Sequence, residues 1–128
     1  MKKGFSFKKL FMAFVYAARG YKRVYHEEQN MWVHTIIALW VLIFGFIFQI
    51  THTEWLFLIF AIGMVIGAEI LNTTVENMVD LVTVHFHEKA EIAKNTAAAF
   101  VMVLTITAAL IGLIIFIPRV VELIRGLS

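Results

Sequence analysis

Between positions 69 and 87 this sequence sets out the side chains with which it could do acid–base or phosphate chemistry: Glu69, Asn72, Thr73, Glu76, Asp80, Thr83 and His87. On a helix advancing about 100° per residue they fall at about 0, −60, 40, −20, 20, −40 and 0°, which is one polar face. Ile70, Leu71, Val75, Met78, Val79, Leu81 and Val82 form the other face. Carboxylates on one face at different depths can divide two tasks. One shielded from water can take a proton from a hydroxyl, while others in water hold Mg²⁺ and its phosphates.

The elements that must position this stripe are read from composition and patterning. The chain has 128 residues, 61% hydrophobic and only 16% charged, a balance outside the range of soluble domains. One all-α membrane domain over residues 1–128 is the expectation. Residues 31–50 carry no formally charged side chain, and twenty helical residues rise about 30 Å, the thickness of a hydrocarbon core. A second span is expected over about residues 55–84 and a third over about 95–117, closed by the only proline, Pro118. The absence of cysteine excludes disulfides and thiolate metal sites, and a net charge of +2 is too small to argue for a nucleic-acid partner.

Depth separates the members of the stripe. If span two enters the hydrocarbon at Trp55, Glu69 lies about 21 Å across and Glu76 about 31 Å, near the far boundary. A carboxylate at the depth of Glu69 costs about 2.5–3.5 kcal/mol, so a partner, a shifted pKa or a function is expected of it. Glu76 and Asp80 reach water. This suits a reaction between a lipid and a charged soluble substrate. Lys94, across the loop, could neutralise phosphate, and Glu28 could complete a metal site if its helix packs alongside.

Plainer readings compete. Glu76 and Asp80 could bridge to basic residues of a neighbouring span, Asn72 could bond across helices, and His34, His85 and His87 could be hydrogen-bonded structural residues. No Walker loop, dinucleotide fingerprint or kinase glycine loop occurs, so a nucleotide site would be built from helix faces and loops.

Seven of the eleven lysines and arginines precede residue 24. That bias places the N-terminus in the cytoplasm and, after three spans, the C-terminus outside. Phe7, Leu10, Phe11, Phe14, Ala18, Tyr21 and Tyr25 recur at helical spacing, which predicts an amphipathic surface helix over about residues 5–25. A secretory signal is the rival reading of that segment.

The run AEILNTTVENMVDLVTVHFHEKAEIAKNTAAAFVMV, residues 68–103, resembles the prokaryotic diacylglycerol kinase family, with its E-x-L-N-[ST]-x-[IV]-E-x-x-V-D motif and following A-K-[DN] element. F-V-Y-A-A-R-G at 14–20 and E-x-N-M-x-V-H at 28–34 are similar to that family in order and spacing, and the tail IGLIIFIPRV at 111–120 looks like its Gram-positive branch, which phosphorylates undecaprenol. The resemblance implies a homotrimeric lipid kinase of the bacterial cytoplasmic membrane that uses ATP and Mg²⁺. Carried over, the catalytic carboxylate falls on Glu69 and the metal ligands on Glu28 and Glu76. Nucleotide contacts fall on Tyr16, His85, Phe86, His87, Lys94 and Asn95. Lys9, Asn72 and Asp80 take supporting and substrate contacts. Asn95 stands where many members have Asp, which removes a charge near the nucleotide.

Undecaprenol is the expected alcohol, with diacylglycerol the alternative. Two other classes compete: a proton or cation carrier that uses Glu69, Glu76 and Asp80 as a relay, and a non-catalytic membrane subunit.

Overall fold

The computed structural model describes residues 5 to 127. The chain forms four helices: α1 (Phe7–Glu27), α2 (Gln29–Ile47), α3 (His52–Val82) and α4 (Glu88–Leu127). Among the described residues there is no strand. Lys2 and Lys3 of the basic arm lie outside them. α2, α3 and α4 are each long and apolar enough to cross a membrane. Large side chains such as Ile36, Leu39, Phe60, Ile106 and Leu113 are exposed on their outer surfaces, as a lipid-facing wall requires. The protein is an all-α, multi-pass membrane protein.

The central element is α3, which packs most extensively on α4, less on α2, and touches α1. Its buried residues explain this. Leu58, Ala61, Val65, Ala68 and Asn72 recur at intervals of three and four, the spacing that keeps one seam of a helix against its neighbours. Ala61 and Ala68 are small enough for close helix approach. The seam begins apolar and becomes polar at Glu69, Asn72 and Thr73 without changing face. The packed side of the helix therefore carries the ionisable group.

The turns are specified locally. After α2, the N–H of Gln49 bonds to the carbonyl of Phe46 at 3.2 Å and that of Ile50 to the carbonyl of Gly45 at 3.2 Å. Gln49 sits at a φ of 48°, so this is a Schellman stop with Ile50 folded back into the core. A Cβ on Gly45 would lie 2.7 Å from the Trp55 ring, so glycine permits the close approach of α2 to α3. Thr51 then caps α3. Its hydroxyl accepts from the N–H of Glu54 at 3.4 Å, and its own N–H donates to Glu54 Oε2 at 2.7 Å.

The helices differ from the apolar runs at their ends. The run over 31–50 lies in a helix that stops at Ile47 because of the Schellman turn. The run over 55–84 starts earlier because Thr51 caps it, and ends at Val82 with Thr83 extended at φ −144° and ψ 132°. The stripe accordingly stops at Asp80, since Thr83 and His87 lie beyond the helix. The helix of the third span, α4, begins at Glu88 and does not close at Pro118, which lies inside it. Proline removes one N–H from the ladder there. The next residue, Arg119, donates from Nη1 to the Ile115 carbonyl at 2.7 Å.

Arg119 also reaches across to α3, with Nη2 2.6 Å from Glu54 Oε2 and Nη1 2.9 Å from Glu54 Oε1. This forked pair ties the end of the α3–α4 hairpin away from its loop. Arg119→Met should lower the thermal midpoint of the detergent-purified protein, and Glu54→Gln should lower it at least as much because the cap of α3 also weakens. A double-mutant cycle read by calorimetry should give a coupling of about 1–3 kcal/mol.

Candidate functional site

Glu69 lies on the polar part of the α3 seam with 1% of its surface exposed. His34 of α2 faces it, with Nε2 3.0 Å from Glu69 Oε1. The contact is close but falls outside the directional geometry of a hydrogen bond, and Oε1 accepts none. One turn on, Asn72 donates from Nδ2 to Glu76 Oε1 at 3.0 Å while its Oδ1 is buried without a donor. The Thr73 hydroxyl is spent on the Glu69 backbone carbonyl at 2.9 Å. A cavity of about 350 Å³ opens beside the pair, bordered by His34, Glu69, Asn72 and, from α4, Thr105. Along the stripe, exposure rises from buried Glu69 through half-buried Glu76 to exposed Asp80, in the order that depth predicts.

Glu28 enters from the corner between α1 and α2. The corner is held by the Glu28 N–H bonding to the Val24 carbonyl at 2.8 Å and by Trp32 Nε1 donating to the Tyr25 carbonyl at 3.0 Å. The hydroxyls of Tyr25 and Thr35 bond to each other, and Met31 is fully buried below them. The two neighbouring glutamates are thereby set apart. Glu27 turns outward, its carboxyl held below the usual value by Asn77 Nδ2 at 3.2 Å and Arg23 Nε at 2.6 Å. Glu28 turns inward, where burial pushes its carboxyl up and the facing carboxylates of Glu76 and Glu69 push it further. Among the described residues no cluster of three or more His, Asp or Glu is arranged around a cation. Glu28 and Glu76 instead make a pair of mutually repelling carboxylates, a donor set that suits Mg²⁺ completed by phosphate oxygens and water.

A second cleft, of about 530 Å³, lies at the α3–α4 loop and is lined by Asp80, His85, Phe86, His87, Lys94 and Asn95. The Thr83 hydroxyl turns the chain by accepting the His85 N–H at 3.3 Å. His87 starts α4, its Nδ1 accepting from the Lys89 N–H at 3.2 Å, a cap that occupies that ring nitrogen. Lys94 Nζ is bound to Asp80 Oδ1 at 2.6 Å, so its charge is partly answered within the protein.

The family model for prokaryotic diacylglycerol kinase matches residues 15–116 of this chain. The chain belongs to that family. It is 38% identical over 111 residues to an undecaprenol kinase of Bacillus subtilis, covering 87% of this chain and 90% of the relative. It is 30% identical over 115 residues to a diacylglycerol kinase of Synechocystis sp., covering 89% and 66%. A diacylglycerol kinase of Helicobacter pylori is 32% identical over 108 residues, covering 84% and 78%.

In this member of the diacylglycerol kinase family the anticipated residues fall into three places. Glu69, Asn72, Glu76 and Glu28 converge on one polar centre. Asp80, the His85 to His87 loop, Lys94 and Asn95 share the cleft. Tyr16 and Lys9 are exposed on α1 and line neither, and the Tyr16 ring lies 5.9 Å from the Arg19 guanidinium. Two neighbours of Glu69 were not among the anticipated site residues: His34, which reads as a structural histidine, and Thr105. His34 had a signal, as the one titratable side chain in the run 31–50, but its partner is visible only in three dimensions. Thr105 had none.

Glu28 gives the site a pH signature. An acid whose pKa is raised by folding adds stability below its ordinary value and loses it as pH climbs through the raised one. With divalent cations chelated, stability should therefore fall as pH rises from the ordinary carboxylate range through the raised value of Glu28, and Glu28→Gln should remove that fall. Thermal midpoints of both proteins across this range give the difference, which isolates Glu28 from the opposite contribution of Glu27.

Proposed function

We propose that the chain is a lipid kinase that moves the γ-phosphoryl group of ATP to the hydroxyl of undecaprenol. The observation that carries this reading is Glu69, a buried carboxylate beside His34 at a cavity, on a helix whose next turns bring Glu76 and Asp80 toward water. Glu69 is the base. It takes the proton of the lipid hydroxyl while that oxygen bonds to the γ-phosphorus and the bond from phosphorus to the bridging oxygen breaks, releasing ADP. The proton stays on Glu69 until the product leaves and is then released to water. His34 fixes the Glu69 carboxylate against α2.

Glu28 and Glu76 are the residues that would hold Mg²⁺, which supplies charge neutralisation at the β- and γ-phosphates. Lys94, Asn95 and the His85 to His87 loop receive the nucleotide, and Lys94 exchanges Asp80 for phosphate oxygen as it does so. The exposed side chains of Phe7, Phe11 and Phe14 support an α1 that lies on the cytoplasmic surface of the bacterial membrane, with Lys9 toward lipid headgroups and the C-terminus outside. Tyr16 and Lys9 stand away from the cleft within one protomer, which is consistent with a homotrimer whose sites draw on two subunits.

Undecaprenol is favoured by the relative matched at 38% over 90% of its length. Diacylglycerol is the second reading, supported by the relatives at 30% and 32%. Purified protein in lipid, given ATP, Mg²⁺ and each alcohol separately, should phosphorylate undecaprenol faster. Folded protein that phosphorylates neither would contradict the proposal. Glu69→Gln should cut turnover by about 10²- to 10⁴-fold with ATP binding largely intact, and equal loss of both would count against a base.

A further inference from the structure

The cavity beside Glu69 does not end there. It shares His34 and Thr105 with a second, of about 170 Å³, that continues between α2 and α4 and is lined by Ile37, Ala38, Ile62, Val65, Ala108 and Ala109. At the end away from the α3–α4 loop the two helices meet, with Phe116 of α4 centred 6.5 Å from Phe44 and 6.1 Å from Phe48. The result is one groove, apolar along its length and polar at the end that holds Glu69.

The polar end is chemically incomplete. Three buried oxygens there have no hydrogen-bond partner: Glu69 Oε1, Asn72 Oδ1 and Thr105 Oγ1. Glu69 and Asn72 are both more than nine-tenths buried. An amide oxygen and a carboxylate oxygen accept, whereas a threonine hydroxyl either donates or accepts. A group that accepts from the Thr105 hydroxyl and donates to one of the two acceptors at a single oxygen, and that carries an apolar continuation, fits both parts of the groove. An alcohol on a hydrocarbon chain meets both demands. A helix from a second copy would cover the alanines but reach the acceptors only through a polar side chain, because its backbone N–H groups are already bonded. Water would satisfy the oxygens and leave the apolar stretch empty.

We propose that this groove seats the lipid substrate, with Thr105 donating to the alcohol oxygen so that its O–H points at Glu69, and the first part of the hydrocarbon chain lying between α2 and α4. The inference rests on the kinase reading and adds to it a substrate-holding residue, Thr105, and a path for the tail.

The test uses full-length protein in lipid nanodiscs. Thr105→Val removes the hydroxyl at constant shape and should raise the KM for undecaprenol about five- to tenfold while leaving the KM for ATP unchanged. Thr105→Ser should restore the wild-type value, and Ala109→Leu, which narrows the apolar part, should also raise the lipid KM. A polyprenyl alcohol with a diazirine in its first isoprene unit should label the α4 peptide around Ala108 and Ala109, in competition with undecaprenol. Wild-type transfer with the lipid KM unmoved by both Thr105→Val and Ala109→Leu would overturn the groove, as would labelling confined to other helices. A change in subunit number for Ala109→Leu without a change in lipid KM would assign the groove to a second copy and overturn it too. Competed labelling of α4 in a protein that transfers no phosphoryl group supports the groove and removes the kinase reading, so the two failures are told apart.

Discussion

A carboxylate kept from water inside an apolar slab constrains the protein around it, and in this molecule His34 of the neighbouring span stands 3.0 Å from Glu69. That proximity places α2 against α3 at one level, since only then does an imidazole from the neighbouring span reach the carboxylate. Placing α2 there places the corner before it, and the corner turns Glu28 inward to face Glu76 while Glu27 is tied outward by Asn77 and Arg23. The α3–α4 hairpin is set by ion pairs near its two ends, Glu54 with Arg119 and Asp80 with Lys94. Between them Thr105 is brought to the same cavity as Glu69. One level of the bundle thus brings together side chains from three spans.

The seam of α3 is what makes this economical. One three-and-four spacing packs the helix through Leu58, Ala61, Val65 and Ala68 and then delivers Glu69 and Asn72 to the same side. A polar stripe on another face would have met lipid. Because it lies on the packed face, each polar side chain finds protein or cavity, and exposure rises toward the loop. The proposed base and the proposed cation ligands are therefore parts of one gradient, from dry to wet, along a single helix.

Much of this was legible in the residues. Helical phase and span length alone separate a buried Glu69 from water-facing carboxylates, because periodicity and depth are properties of the local chain. What requires another element was not legible. The value of Glu28 depended on a packing that the sequence leaves open. His34 reads as an ordinary structural histidine until α2 is laid against α3, and Thr105 is one more hydroxyl in an apolar run. The reading also carried the stripe too far: Thr83 turns the chain, and His87 caps α4 rather than extending α3. Pro118 reads as the close of a span, yet α4 continues through it to Leu127, since a proline removes one N–H from the ladder without having to end the helix. The resemblance to the diacylglycerol kinase family named the roles of Glu69 and Glu76 that depth had separated, and it alone supplied Tyr16, Lys9, Phe86 and Asn95.

The central claim is that His34 and Glu69 work as one unit across the α2–α3 contact. A double-mutant cycle on kcat, built from Glu69→Asp, His34→Asn and the double variant in protein of verified fold, tests it most directly. If the imidazole acts through the carboxylate, the double variant should be barely slower than the worse single variant, because residues that act as a unit are grossly non-additive. Losses that multiply would contradict the account, for they would mean that the two side chains serve the reaction independently.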